Sequence, residues 1–283
     1  LSRIVIVGGA GQTGRSVLRA LRDRGAHVTA VVRSEGRRRV AIEAGASAGV
    51  LGDLQDRASL HAAFAHADVV LMIPPVLHPR EDELVAGAVA AAAAAGAGRF
   101  VLHSVLHPYT PAMPHHVRKA TAEVAVRESG LRWTILQPAM YAQTVLLYRA
   151  KTDGSEFRVP WDVARRFSVV DLRDVAEAAA IVVLGQGHDF ASYELAGPEA
   201  LSMQAMAAQF GLAVGRPCTA VSEVPERFQA PAAWPPSALA DARAMFAEYG
   251  KHGLLGNPGV LRGLLGRAPT RFIDVMRREA APY

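Results

Sequence analysis

The 283-residue sequence predicts an α/β fold, a doubly wound parallel sheet with a smaller, mainly helical C-terminal lobe. Three observations carry this expectation. Short runs of β-branched residues alternate with amphipathic stretches of about 12 residues through the first half, the pattern of repeated strand–helix–strand units. Hydrophobic residues make up 51% of the chain and aromatics 6%, so the core is aliphatic, as where helices cover both faces of a parallel sheet. Glycine or proline closes many of the runs, where the chain must turn.

Arg3 to Gly8 is a buried apolar strand ending in glycine. Gln12 to Arg24 follows as a helix, with Val17, Leu18 and Leu21 on one face and Gly25 as its stop. His27 to Val32 and Ala48 to Leu51 are the second and third strands, and Asp56 to His66 is a helix. Asp68 to Ile73 is the fourth strand, ended by Pro74 and Pro75. The alanine-rich segment Glu81 to Ala95 is a helix closed by Gly96 and Gly98. Arg99 to Ser104 is the fifth strand, His115 to Ser129 a helix stopped by Gly130, and Arg132 to Gln137 the sixth strand. After Pro138 the rhythm breaks. Phe167 to Asp171 reads as a strand feeding a helix over Leu172 to Leu184, and Tyr193 to Gly197 as another short strand. From Leu201 the pattern is helical and interrupted at Pro225, Pro231, Pro235, Pro236 and Pro258. The expected division is therefore a nucleotide-binding domain over residues 1–150, to which the chain returns at about 168–185, and a smaller substrate lobe over 151–283, packed over the C-terminal edge of the sheet.

The net charge is +5, but the basic residues are scattered and no helix carries a basic stripe with aromatics, so no nucleic-acid partner is expected. Leu84 to Phe100 is too short and too weakly apolar to span a membrane. Cys218 has no second cysteine to pair with, and no basic-then-apolar leader opens the chain; both point to a reducing, cytoplasmic location.

The first strand runs into Gly8-Gly-Ala-Gly-Gln-Thr-Gly14. Gly8, Gly11 and Gly14, with Gln12 and Thr13 opening the next helix, form a phosphate turn. Glycine admits a pyrophosphate close to the backbone, and the helix start presents N–H groups and a positive dipole end. This context, strand then glycines then helix, marks a Rossmann-type dinucleotide site. The second strand ends at Arg33, where an NAD site usually carries an acid for the ribose hydroxyls. A guanidinium suits the 2′-phosphate of NADP instead, so NADP(H) is expected over NAD(H), with Glu35 as the nearby acid against it. Arg37, Arg38 and Arg39 read as a solvated basic loop. Asp53 and Leu54 follow the third strand. Asp53 either takes the adenine amino group or caps the next helix. Ile73, Pro74 and Pro75 brace the nicotinamide side or form a plain loop.

Together Val7 to Gly14, Val31 to Arg33, Gly52 to Leu54, Lys119 to Val124, Gly130 to Pro138 and Val169 to Ala176 resemble the NmrA-like family of atypical short-chain dehydrogenase/reductases, over residues 1–200 and more loosely beyond. The resemblance implies an NADP(H)-preferring domain, a small substrate lobe, and either quinone and aromatic reductases or redox-sensing regulators without turnover. It also places Pro138, Met140 and Tyr141 beside the nicotinamide; Met140 equally suits core packing. One departure stands out. Where related reductases carry Tyr-x-x-x-Lys, this chain has His115-His-Val-Arg-Lys119.

Lys119 therefore becomes the candidate that orients the nicotinamide ribose, and it shares a helical face with His115 and Glu123. His115 is a candidate proton donor, as is Tyr109 from the proline-rich loop Val105 to Pro114. Ser104, at the end of the fifth strand, is a candidate donor to a substrate oxygen. His103 beside it either meets the cofactor or is a satisfied buried histidine. The histidines at 103, 107, 115 and 116 lack the partners of a metal site, and no G-x-S-x-G elbow supports a hydrolase. Trp161, Phe167 and Trp234 are candidates for an aromatic pocket. The expected function is an NADPH-dependent reductase of a quinone-like or polycyclic aromatic substrate. The alternatives are an NADP(H)-sensing binding protein and a cofactor-bound catalyst of a non-redox step. A homodimer is compatible with all three.

Overall fold

The structure, a computed structural model, describes residues 2–149, 154–228, 234 and 236–280. Pro231 and Pro235 lie outside the described residues. In chain order the elements are β1 (Ile4–Val7), α1 (Gln12–Arg22), β2 (Val28–Val32), α2 (Glu35–Ala44), β3 (Ala48–Leu51), α3 (Arg57–Phe64), β4 (Val69–Met72), α4 (Glu81–Ala94), β5 (Arg99–His103), α5 (Pro114–Arg127) and β6 (Arg132–Pro138). There follow α6 (Ala142–Val145), β7 (Glu156–Val159), β8 (Arg166–Phe167), α7 (Leu172–Leu184), β9 (Ala191–Leu195), β10 (Leu201–Ser202), α8 (Met203–Val214), β11 (Thr219–Ser222), α9 (Pro236–His252), α10 (Gly259–Leu265) and α11 (Phe272–Glu279).

The chain forms two compact units. The first contains residues 1–109, 117–137 and 175–193; the second contains 110–116, 138–174 and 194–283. The main sheet has the order β3-β2-β1-β4-β5-β6-β9, and the pairings among β1 to β6 are parallel. β1 lies between β2 and β4, so the chain reverses its direction of travel across the sheet there. This is the switch point at which such sheets bind ligands.

The strands are apolar on both faces because both faces are covered. Val5, Val7, Val70, Met72, Phe100 and Leu102 belong to one core with Leu60 and Phe64 of α3 and Val85, Ala88 and Ala92 of α4. The alternating residues Ile4 and Ile6 are buried too, as are Val17, Leu18 and Leu21, the face of α1 that the sequence predicts. The alanine run does form a helix, and Ala88, Ala91 and Ala92 are buried against the core.

α2 replaces the expected basic loop. Ser34 caps it by accepting from the Arg37 N–H (3.3 Å), and Gly45 ends it at φ 120°. Only Ala41 and Ala44 of this helix are buried, so it carries almost no apolar periodicity to read.

In the second unit the expected strand over Phe167 to Asp171 shrinks to Arg166–Phe167, which pairs with β10. The strand expected at Tyr193 to Gly197 is β9, two residues earlier and in the main sheet. β11 and β7 form a parallel pair that the sequence reading missed. Trp161 and Phe167 are buried core residues whose rings lie 5.5 Å apart, packed with Phe246 and Tyr249. Trp234 stands against Phe228, which packs in turn on Phe246 (4.8 Å between ring centres), so Trp234 joins Trp161 and Phe167 through a continuous run of aromatic contacts. Pro258 sits at the start of α10 and Pro236 at the start of α9, where proline opens a helix rather than breaks one. Two buried aspartates tie down the C-terminal segment. Asp171 accepts from both Arg278 Nη atoms (2.9 and 2.8 Å) and from Gln143 Nε2 (2.7 Å). Asp174 accepts from Arg267 Nη2 (2.7 Å) and the Thr270 N–H (2.6 Å).

Candidate dinucleotide and active site

The turn between β1 and α1 is shaped by its glycines. Gly8 sits at φ 83°, and a Cβ there would stand 2.3 Å from the Ile73 carbonyl oxygen. At Gly14 a Cβ would stand 2.3 Å from the Gly8 oxygen and 2.5 Å from Gly9 Cα. Both positions are therefore closed by the protein's own backbone. Gly11 differs: a Cβ there would meet only the Gly8 oxygen, at 3.3 Å. Packing resists a side chain far less at Gly11 than at Gly8 or Gly14, whereas a pyrophosphate approaching the turn would demand glycine there. Gly11 is also the N-cap of α1 and supplies no side-chain cap, while Ser34 and Asp56 cap α2 and α3. The start of α1 thus receives no side-chain cap from its N-cap residue and fits a dinucleotide phosphate.

Arg33 follows β2, is exposed, and has no hydrogen bond or ion pair among the described residues. Glu35 is turned onto Arg38 (2.8 Å). Arg37, which sequence reading placed in a solvated loop, reaches back from α2 to the Ala10 carbonyl in the glycine turn (3.4 Å). Asp56, not Asp53, caps α3; Asp53 accepts instead from the Gln55 N–H (3.0 Å) and remains at the surface. Leu54 packs half-buried on the sheet core. Ile73 donates its N–H to the Val7 carbonyl (3.0 Å), which sets Ile73, Pro74 and Pro75 beside the turn.

Two buried polar clusters occupy the first unit near the end of β5. In one, Lys119 Nζ donates to Glu81, and both side chains are almost wholly buried. Burial raises the Glu81 carboxyl against the opposing pull of Lys119. His103 is buried nearby. Desolvation first, and the charge of Lys119 second, push its imidazole down from 6.5 to about 3. In the other cluster Glu123, fully buried, accepts from Ser104 Oγ (2.6 Å), Gln137 Nε2 (2.7 Å), Arg127 Nη2 (3.1 Å) and the Tyr109 hydroxyl (3.2 Å). Glu123 is thus the partner of Arg127, not of Lys119. The Tyr109 hydroxyl is engaged by Glu123 and by Arg127 Nη1 (3.2 Å).

Sequence reading missed Glu81, Gln137 and the hub role of Glu123. A signal was present. Glu81 shares the spacing of Leu84, Val85 and Ala88, and Glu123 that of Ala122 and Val126, so each carboxylate lies on an apolar stripe and requires a partner. His115, Pro138, Met140 and Tyr141 fall in the second unit. His115 is buried on the first turn of α5, Pro138 ends β6, the Met140 carbonyl accepts from the Val170 N–H (3.0 Å), and Tyr141 bridges to Val170. Among the described residues no group of three or more His, Cys, Asp and Glu side chains is placed to hold a metal, and no helix is long and apolar enough to cross a membrane.

His103 gives a pH-dependent expectation. It is neutral in the fold but protonates in the unfolded chain below about pH 6.5, so its contribution is complete above that pH and is lost as the pH falls toward 3. Denaturant titrations should show the unmutated protein losing about 2 kcal/mol more than His103→Gln on acidification to about pH 5. Equal losses would refute this.

The model of the NmrA-like family matches residues 1–277. The chain belongs to that family. The NAD(P)H azoreductase of Xenophilus azovorans is 30% identical over 99% of both chains. The structure of an NADPH-dependent quinone oxidoreductase from Escherichia coli, complexed with NADPH, superposes with a TM-score of 0.85 at 24% identity, covering 98% of this chain and 99% of that one. NmrA, a negative transcriptional regulator solved with NAD, gives a TM-score of 0.81 at 20% identity, covering 100% of this chain and 98% of that one. These two likenesses show a shared fold.

Proposed function

We propose that this NmrA-like protein is an NAD(P)H-dependent oxidoreductase that reduces an aromatic, quinone-like acceptor, with NADPH as its preferred donor. The observation that carries the reading is the glycine turn at the switch point. Gly8 and Gly14 close it sterically, while Gly11 and the uncapped start of α1 leave room and N–H groups for a pyrophosphate. The full-length similarity to an azoreductase supports a reducible aromatic acceptor.

When bound, the nicotinamide supplies the hydride. The chain's own residues hold and orient. Gly11, Gln12, Thr13 and Gly14 receive the pyrophosphate at the start of α1. Arg33, free of protein partners among the described residues, and Arg37, anchored at Ala10, supply cationic charge for a 2′-phosphate. Asp53 takes the adenine amino group, and Leu54, Ile73, Pro74 and Pro75 supply apolar contact. Lys119, held by Glu81, orients the nicotinamide ribose beside His103. Quinone reduction needs little acid assistance, because hydride addition gives a delocalised anion that water can protonate. His115 in place of a tyrosine is compatible with that chemistry.

The test is consumption of NADPH by the purified protein with a panel of naphthoquinones and azo dyes. Turnover with NADPH exceeding that with NADH is expected. Tight NADPH binding without consumption on any member would favour a cofactor-sensing regulator. Arg33→Ala should narrow the NADPH-over-NADH binding preference by about 1–3 kcal/mol. Equal affinities for the two cofactors in the unmutated protein would remove the role of Arg33.

A further inference from the structure

We infer that Glu123 is a positioning residue that fixes Ser104 as a hydrogen-bond acceptor, so that the ligand group meeting Ser104 is an N–H or O–H donor and not a substrate carbonyl. The inference rests on the reading of the chain as a dinucleotide-dependent reductase.

The donors around Glu123 decide the direction of each bond. Arg127 Nη2 and Gln137 Nε2 can only donate, which marks the carboxylate as the common acceptor. Ser104 Oγ, 2.6 Å from Glu123 Oε1, therefore spends its single hydrogen on that oxygen. Oε1 is shared with Gln137, and Oε2 with Arg127 and Tyr109, so all four contacts hold the carboxylate in one orientation. Ser104 stands one residue beyond β5, and its own N–H is taken by the Leu136 carbonyl (2.7 Å). What remains for a ligand is the lone pairs of Oγ. The end of β5 is the edge of the sheet where ligands of such folds bind. A carbonyl oxygen arriving there finds no hydrogen. The carboxamide N–H of the nicotinamide, or the hydroxyl of a hydroquinone product, finds an acceptor. This replaces the expectation that Ser104 donates to a substrate oxygen.

The experiment compares two pairs of probes on the unmutated protein, Ser104→Ala and Glu123→Gln. The first pair is NADP+ and its 3-acetylpyridine analogue, in which a methyl group replaces the carboxamide nitrogen. The second is a naphthohydroquinone and its quinone, measured as inhibitors against a different acceptor. The unmutated protein should prefer the donor-bearing member of one pair by about tenfold, and Ser104→Ala should abolish that preference by weakening the donor-bearing member alone. Loss in the first pair assigns the carboxamide; loss in the second assigns the hydroquinone. Glu123→Gln brings an N–H to the cluster that can release the Ser104 hydrogen, so it should reduce the same preference. A purely structural role would lower the melting temperature of both variants and leave both preferences intact, which overturns the inference. Selective weakening of the quinone in Ser104→Ala would do the same. If the unmutated protein binds neither dinucleotide, the underlying reading fails and this one with it.

Discussion

Gly11→Val should abolish dinucleotide binding and leave a folded protein, whereas Gly14→Ala, a smaller change three residues on, should damage the fold itself. The difference follows from what each added Cβ meets. At Gly14 the new atom falls 2.3 Å from the Gly8 oxygen and 2.5 Å from Gly9 Cα, and backbone cannot step aside as a side chain can. Overpacking of this kind costs at least about 1–3 kcal/mol, and here the start of α1 must shift off the sheet to relieve it. At Gly11 the nearest atom is 3.3 Å away, and the position is already in extended backbone at φ −79°. The valine Cβ asks the Gly8 oxygen to give by only a few tenths of an ångström, far less than at Gly14, while the side chain fills the space that a phosphate needs. Calorimetric titration with NADPH alongside thermal melts separates the two effects. The expected result for Gly11→Val is a melt close to that of the unmutated protein, with affinity lower by at least about a hundredfold, since the pyrophosphate loses its seat. Retained affinity would place the cofactor elsewhere.

How much of this was legible in the sequence depends on how local the determinant is. β1 and its glycine turn are readable because a fully buried parallel strand is a continuous apolar run, and because the closure of Gly14 by Gly8 and Gly9 is local; the Ile73 carbonyl that closes Gly8 comes from far along the chain. α1 and the alanine helix α4 are readable from composition and from one apolar face. α2 is not, because Ser34 and Gly45 bound it but only two alanines face inward. β8, β10 and β11 have two to four residues each and are defined by partners far along the chain, such as Thr219 beside Glu156. The site divides in the same way. Gly11 and Arg33 are signalled by their immediate neighbours. Lys119 and Ser104 are visible as positions, but their partners Glu81 and Glu123 lie 38 and 19 residues away, and the topology alone brings them together. Ser104 illustrates the consequence: the residue is visible in the sequence, but the bond its hydroxyl makes is set by Glu123.

The buried Glu81–Lys119 pair carries the other large expected effect. Neither charge is in water, so removing one leaves the other buried without compensation; Glu81→Ala should cost about 3–5 kcal/mol of stability. Replacing both partners with apolar residues of similar volume, Glu81→Leu with Lys119→Met, should recover most of that loss, because the desolvation penalty disappears with the charges. Catalysis should not recover with it. If Lys119 orients the nicotinamide ribose, the double variant stays slow in hydride transfer although it is stable. Lys119→Ala alone should be slower than His115→Ala, since displacing a hydride donor by ~1 Å costs on the order of a hundredfold. The histidine, in contrast, assists a proton transfer that water can complete. Stopped-flow oxidation of NADPH by a quinone, read beside denaturant unfolding of the same variants, distinguishes the two roles. A double variant that regains both stability and unmutated hydride-transfer rates would show that the pair is structural and that Lys119 does not touch the cofactor. One that regains stability alone would make the lysine a part of the chemistry and Glu81 the residue that holds it.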